Sequence, residues 1–186
     1  MTKAARPRDV QDLCRLEQQG CPPQYLFFWG HRARRDGAIG RECLSQWWPA
    51  TFTVDGLTYS SAEQFMMASK ARLFGDEVTA ERIMETTSPK MAKALGRSVK
   101  GFDEETWIAN RCGIVIKGNV AKFGQDRDLF EYLIGTHHRV LVEATPDRIW
   151  GIGVAANDDR ASQPSRWEGL NLLGFALMDA RDLLIR

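Results

Sequence analysis

An Asp-Gly pair between two short alternating apolar runs, followed at once by a serine-opened helical pattern, restricts this chain more than any other stretch of it. Phe52, Val54, Leu57 and Tyr59 flank Asp55-Gly56, and Asp-Gly suits a two-residue type I′ turn because both central residues there take positive φ. A β-hairpin over about residues 51–59 is the expectation. Ser60 then stands three residues before Glu63, the spacing of a capping box. Phe65, Met66, Ala68/Ser69 and Leu73 follow at helical intervals, and Gly75 is the stop. In that helix Glu63 and Lys70 are seven residues apart, two turns, so a carboxylate and an amine share one face. Taken alone, these residues allow two accounts. Either Ser60 and Glu63 cap the helix while Lys70 is a solvated charge, or the pair is chemical machinery.

Bulk properties narrow the setting. With 186 residues, 44% of them hydrophobic, the chain has the material for one compact core. The 25 basic and 24 acidic residues nearly cancel, which argues against a charge-driven, sequence-independent grip on nucleic acid and leaves room only for a local basic patch. Cys14, Cys21, Cys43 and Cys112 are too scattered for paired metal knuckles or a disulfide scaffold. They read as reduced thiols, in keeping with a cytoplasmic protein. Of the three histidines two are adjacent, His137-His138, so neither a metal site nor a cofactor is expected. The stretch from Met1 to Asp9 lacks the apolar segment of a secretory leader, and no run approaches a membrane span; no membrane partner is expected.

Around the central stretch the pattern is mainly helical. Residues 9–19 read as a short amphipathic helix, Tyr25-Leu26-Phe27-Phe28-Trp29 as a buried strand, and the arginine-bearing segment from His31 to Arg41 as a loop. Helices are expected at 77–86, at 89–95 with a stop at Gly96-Arg97, and from Phe102 past Val120, where Gly113 and Gly118 weaken continuity. Leu129 to Ile134 and Leu172 to Leu184 form two more helical faces, Arg139 to Ala144 reads as a strand, and Ile149 to Val154 as a second strand or a tight glycine turn. The fold class is therefore α+β and mostly helical, one compact domain with a small sheet and a hairpin.

No H-E-x-x-H, G-x-S-x-G or Walker lysine loop is present, so zinc peptidase, α/β-hydrolase and P-loop chemistries lose their usual support. Gly151 and Gly153 make only a fragment of a dinucleotide fingerprint. What remains is an acid and an amine (Glu63, Lys70), arginines able to hold phosphate (Arg97, Arg111), and tryptophans able to stack a base (Trp47, Trp48, Trp107, Trp150). Adjacent Trp47 and Trp48 in a turn cannot point the same way, so one should be core and the other a stacking surface. The set suits a phosphorylated nucleoside. A non-catalytic NAD or ADP-ribose binding module would use the same arginines and tryptophans without needing Glu63.

The order and spacing of Tyr59-x-Ser61-x-Glu63 through Lys70, Gly96-Arg97, Trp107, Ala121-Lys122-Phe123, Leu141-Val142-Glu143, Trp150-Gly151-x-Gly153 and Gly169-x-Asn171-x-x-Gly174-x-x-Leu177-Met178-x-x-Arg181 resemble the NADAR family, also called YbiA-like, over about residues 44–185. The resemblance implies a YbiA-like domain at 44–186, with residues 1–43 as an N-terminal helix and strand packed on its core. It also implies N-glycoside hydrolysis at C1 of a phosphorylated ribose or ADP-ribose. The substrate would be a ribosylamino intermediate of the riboflavin pathway or ADP-ribosylated guanine in DNA. The family's glutamate and lysine fall on Glu63 and Lys70 as catalytic residues. Trp47, Trp48, Arg97, Trp107, Arg111, Trp150, Gly151, Gly153 and Asn171 are the substrate-binding candidates. Two departures stand out. Ile152 replaces the aspartate that several members carry in W-G-D-G, so acid duty there would pass to Glu143, Asp158 or Asp159, or be absent. Leu44-Ser45-Gln46-Trp47 also replaces the usual S-N-F entry.

Overall fold

The computed structural model describes residues 6–186; residues 1–5, part of the stretch read above for a leader, lie outside the described residues. The architecture is α+β and mostly helical, with two small two-stranded sheets. The chain forms two compact units: the segment up to Trp29 together with Thr136–Asp179, and Gly30–Gly135 together with Ala180–Arg186.

In the first unit, α1 (Val10–Gln18) starts at Asp9, whose side chain accepts a hydrogen bond from the Asp12 amide. Strand β1 (Tyr25–Phe28) pairs in parallel with β4 (Val140–Glu143), Tyr25 opposite Val140 and Phe28 opposite Glu143. Burial falls unevenly on this pair. Val140, Leu141 and Val142 are all buried, whereas in β1 only Phe28 is, and the run ends on an exposed Trp29. Residues 149–154 settle as a glycine turn with no strand. The Ile152 amide donates to the Glu143 carbonyl at 3.0 Å, and Gly153 takes φ +76°. The polar stretch after it holds two short 3-10 turns, Asp159–Ser162 and Pro164–Arg166, before α7 (Leu172–Ile185).

The second unit is built on the segment that opened the sequence analysis. Strands β2 (Phe52–Val54) and β3 (Leu57–Tyr59) form the expected antiparallel hairpin, with Asp55 at φ 51° and Gly56 at φ 80°. Helix α2 (Ala62–Leu73) follows, and every residue from Ala62 to Ala68 is buried. A helix with no solvated face over two turns lies inside other helices rather than on a surface. Its neighbours are α3 (Glu77–Met84), α4 (Pro89–Arg97) and α5 (Glu104–Gly124); α6 (Arg127–Ile134) packs on α5.

Three local expectations change. The helix cap sits one residue later: Ser61 accepts from the Gln64 amide at 3.2 Å, and Gln64 Oε1 reaches past the N-cap to accept from the Ser60 amide at 2.7 Å. Ser60/Glu63 and Ser61/Gln64 both satisfy the S-x-x-E/Q pattern, and the second wins because Gln64 also donates to the Ile83 and Thr86 carbonyls, at 3.0 and 2.7 Å, tying α2 to the end of α3. Helix α4 runs through Gly96 to Arg97, and α5 is continuous through Gly113 and Gly118. In two of these cases the glycine is a contact surface. A Cβ on Gly96 would meet Met67 Cγ at 2.9 Å, and one on Gly118 would meet Phe65 Cδ1 at 2.5 Å. The glycines let α4 and α5 approach α2 backbone-close.

This makes a testable contrast. Gly96→Ala should destabilise the protein by about 1–3 kcal/mol, because the new methyl crowds the buried Met67 at its Cγ and at its Cβ, 3.1 Å away, so more than the end of that side chain must shift. Gly113→Ala, where a Cβ meets nothing within 4 Å, should be neutral or stabilising by about 0.5–1 kcal/mol. Thermal unfolding of the two variants checks the pair. Equal midpoints would refute the close approach of α4 to α2.

Candidate active site

Lys70 lies two turns along α2 from Glu63, and its Nζ donates to the Gly96 carbonyl at 2.9 Å. Helix α4 can deliver that carbonyl because residue 96 is a glycine packed on Met67. The same Nζ sits 4.3 Å from the centroid of the Phe102 ring and 5.6 Å from that of Trp107. Phe102 and Trp107 occupy the N′ and N4 positions around the start of α5, where Asp103 caps the helix by accepting from the Thr106 amide at 2.8 Å. This is the placement of a hydrophobic staple, and here it puts two aromatic rings against one amine. Burial pulls the Lys70 pKa below the ordinary lysine value. The carbonyl and the π faces favour the ammonium, and desolvation outweighs them.

Glu63 is 3% exposed in the first turn of α2. Its amide donates to the Gln46 carbonyl at 2.9 Å, which fixes it to the segment after the 3-10 turn Arg41–Leu44. That segment is held from α5. Lys122, 1% exposed, donates from Nζ to the Cys43 and Ser45 carbonyls at 2.6 and 2.8 Å. Gln46 Nε2 donates to Asn119 Oδ1 at 3.2 Å. Burial draws the Lys122 pKa down to about 7, and the buried Cys43 thiol is pushed up to about 12 by desolvation. The departure from S-N-F is thus accommodated structurally, since Gln46 uses its side chain on α5 and its carbonyl on Glu63.

Of the adjacent tryptophans, Trp48 is the one in the core, 9% exposed. Trp47 is half-buried, with the His31 ring 5.4 Å away and Lys93 Nζ 6.0 Å from its centroid. Arg97 is exposed, one turn after Lys93 on α4. Arg111 lies one turn beyond Trp107 on α5, and its Nε is enclosed without a hydrogen-bond partner among the described residues. The structure therefore brings Lys70 and Trp107 together, with Arg111 on the same stripe of α5.

Trp150, Gly151, Gly153 and Asn171 belong to the other compact unit. Trp150 is half-buried at the glycine turn, and its amide donates to Asp147 Oδ1 at 2.8 Å. Gly151 is enclosed, its Cβ position 2.9 Å from the Glu143 carbonyl oxygen. Asn171, at φ 52°, accepts from the Glu143 amide at 3.0 Å and donates to the Leu141 carbonyl at 2.9 Å. Both ends of its amide thus serve the edge of β4. Ile152, where an aspartate would stand, is fully buried. Of the substitutes, Asp158 is held by Arg160, whose guanidinium hydrogen bonds draw its carboxyl down to about 2 and favour the ionised form. Asp159 is exposed and Glu143 half-buried.

Sequence reasoning gave no site role to Phe102, His31 or Lys93, and it named Gly96 and Lys122 only within the motifs that carry the family resemblance. One signal was available: Phe-Asp-x-x-x-Trp has the spacing of a stapled, Asp-capped helix start. The others depend on tertiary contacts.

Residues 27–185 match the NADAR domain. The chain belongs to the NADAR family. It is 41% identical over 165 residues to N-glycosidase R617 of Acanthamoeba polyphaga mimivirus, covering 86% of this chain and 95% of that protein. It is 32% identical over 138 residues to N-glycosidase YbiA of Escherichia coli (strain K12), covering 74% and 76% of the two. The solution NMR structure of E. coli YbiA superposes with a TM-score of 0.67 at 28% identity, covering 87% of this chain and 86% of that one. As a NADAR protein homologous to N-glycosidases with a YbiA-like fold, the chain meets the expectations of family and fold class. No helix among the described residues is long and apolar enough to cross a membrane.

Proposed function

We propose that this NADAR protein is an N-glycosidase acting on a phosphorylated ribosyl or ADP-ribosyl base, with Glu63 and Lys70 as its catalytic residues. The observation that carries the reading is the Lys70 amine, partly desolvated and seated between the Phe102 and Trp107 rings on the Gly96 carbonyl. A lysine becomes a nucleophile when its surroundings disfavour the ammonium, and an aromatic setting suits a substrate that carries a base. Arg111, with an Nε–H that an oxygen acceptor would satisfy, and exposed Arg97 are the phosphate ligands.

In the reaction, a proton delivered through Glu63 to the ring oxygen opens the ribose and leaves C1 as an iminium to the base nitrogen. The neutral Lys70 amine adds at C1, and the base departs with a proton as the C1–N bond to it breaks. A Lys70 Schiff base results. Water, deprotonated by Glu63, adds to C1, and cleavage of the C1–Nζ bond returns the amine and frees the ribosyl aldehyde. The net change is one water consumed and one base released. Direct attack by a Glu63-activated water on an oxocarbenium-like C1, with Lys70 as phosphate ligand, gives the same products.

Incubation with an ADP-ribosylated guanine oligonucleotide and, in parallel, a ribosylaminopyrimidine phosphate should release base from at least one. Binding of ADP-ribose with no base released from either would sink the enzymatic reading in favour of a non-catalytic module.

A further inference from the structure

We propose that Phe102 is the face on which the planar base of the substrate stacks, so that it sets how the protein distinguishes a base-bearing sugar from a bare one. The proposal rests on the assignment of Lys70 to the reacting carbon. Among the described large hydrophobic residues, Phe102 and Trp29 are the aromatics left exposed, Phe102 at 46%. Its exposure is not that of a loose loop. The ring packs edge-on to Phe74 with centroids 5.3 Å apart, Gly101 before it is fixed at φ +68°, and Asp103 after it caps α5. A large apolar ring held in place and left nearly half in water is preorganised for a flat partner.

The position of the amine identifies the partner. Nζ lies 4.3 Å from the Phe102 centroid, and the carbon that meets Nζ carries the base, so the base comes within stacking reach of this ring. Trp47, half-buried in the same unit, follows Gln46, whose carbonyl accepts from the Glu63 amide, roughly 10 Å along the helix axis from Lys70 at the α-helical rise. Lys93 Nζ lies 6.0 Å from the centroid of Trp47, which also has His31 beside it, whereas the amine over Phe102 is Lys70 itself, at 4.3 Å, and the ring is plain hydrocarbon. Such a face has no hydrogen-bonding atoms with which to read a base edge, so it accepts purines and pyrimidines alike.

Calorimetric titration with guanosine 5′-monophosphate, cytidine 5′-monophosphate and ribose 5-phosphate tests this. Wild-type protein should bind both nucleotides at least tenfold more tightly than ribose 5-phosphate. Phe102→Leu should weaken both nucleotides by about tenfold or more and leave ribose 5-phosphate within about twofold, and Phe102→Tyr should restore nucleotide binding. Equal weakening of all three probes in Phe102→Leu would overturn the proposal, showing that the ring acts only through Lys70. Unchanged nucleotide binding in that variant, or a wild type that binds nucleotides no better than the bare sugar phosphate, would overturn it as well. Retained base release in Lys70→Ala would instead strike at the catalytic assignment, leaving the binding comparison readable on its own.

Discussion

Replacing Lys70 with alanine should lower kcat for base release by about 10³-fold, equivalent to about 4 kcal/mol of transition-state stabilisation, and replacing it with arginine should cost nearly as much. Arginine keeps the charge but cannot form an imine, so the Lys70→Arg variant separates a nucleophile from a phosphate ligand. Borohydride added during turnover should leave a covalent adduct on Lys70. An Arg variant with near wild-type activity and no trapped adduct would establish direct water attack. The pH profile adds a sign. Desolvation lowers the Lys70 pKa from 10.5, so the neutral amine gains population at lower pH than in an exposed lysine. The rate should therefore rise with pH through an apparent value below 10.5. A profile flat from neutral to alkaline pH would argue against a neutral amine in the rate-determining step.

Glu63→Gln should lower kcat by about 10²–10⁴-fold, the span expected when a proton-transferring group is removed, with KM little changed and the thermal midpoint close to wild type. The second half of that expectation comes from the capping geometry. Were Glu63 part of the capping box, glutamine there would be a conservative capping change, and a loss of activity alone would be hard to assign. Because Ser61 and Gln64 perform the capping, a fold intact by thermal unfolding with turnover lost would place Glu63 in the chemistry. Turnover unchanged in Glu63→Gln, with ligand binding abolished in Arg97→Ala, would establish a binding module.

Local chemistry was legible where it is self-contained. Asp55-Gly56 announces its turn because few pairs take two positive φ values cheaply; the caps at Ser88, Asp103 and Asp126 are equally local but were not read from the sequence. Gly96 and Gly118 were misread for the opposite reason. In isolation a glycine weakens a helix, and only Met67 and Phe65, far off in sequence, turn it into a packing surface. The ambiguity of Ser60/Glu63 against Ser61/Gln64 could not be resolved locally, since the deciding hydrogen bonds run to the carbonyls that end α3. Glu63 and Lys70 stood out by spacing. Phe102 did not, because it reads only as the start of a helical pattern until the amine beside it is located.

The way α2 begins has a consequence for proton traffic. Its opening turn is tied by a hydroxyl and a carboxamide, Ser61 and Gln64, neither of which titrates in the physiological range. A carboxylate holding that turn would loosen it each time it took up a proton, and every catalytic cycle would tug at the central helix of its unit. In the proposed reaction the residue that carries protons, Glu63, sits within a turn tied by groups that do not titrate. The cap of α2 would thereby be insulated from the charge cycle that the proposal assigns to Glu63.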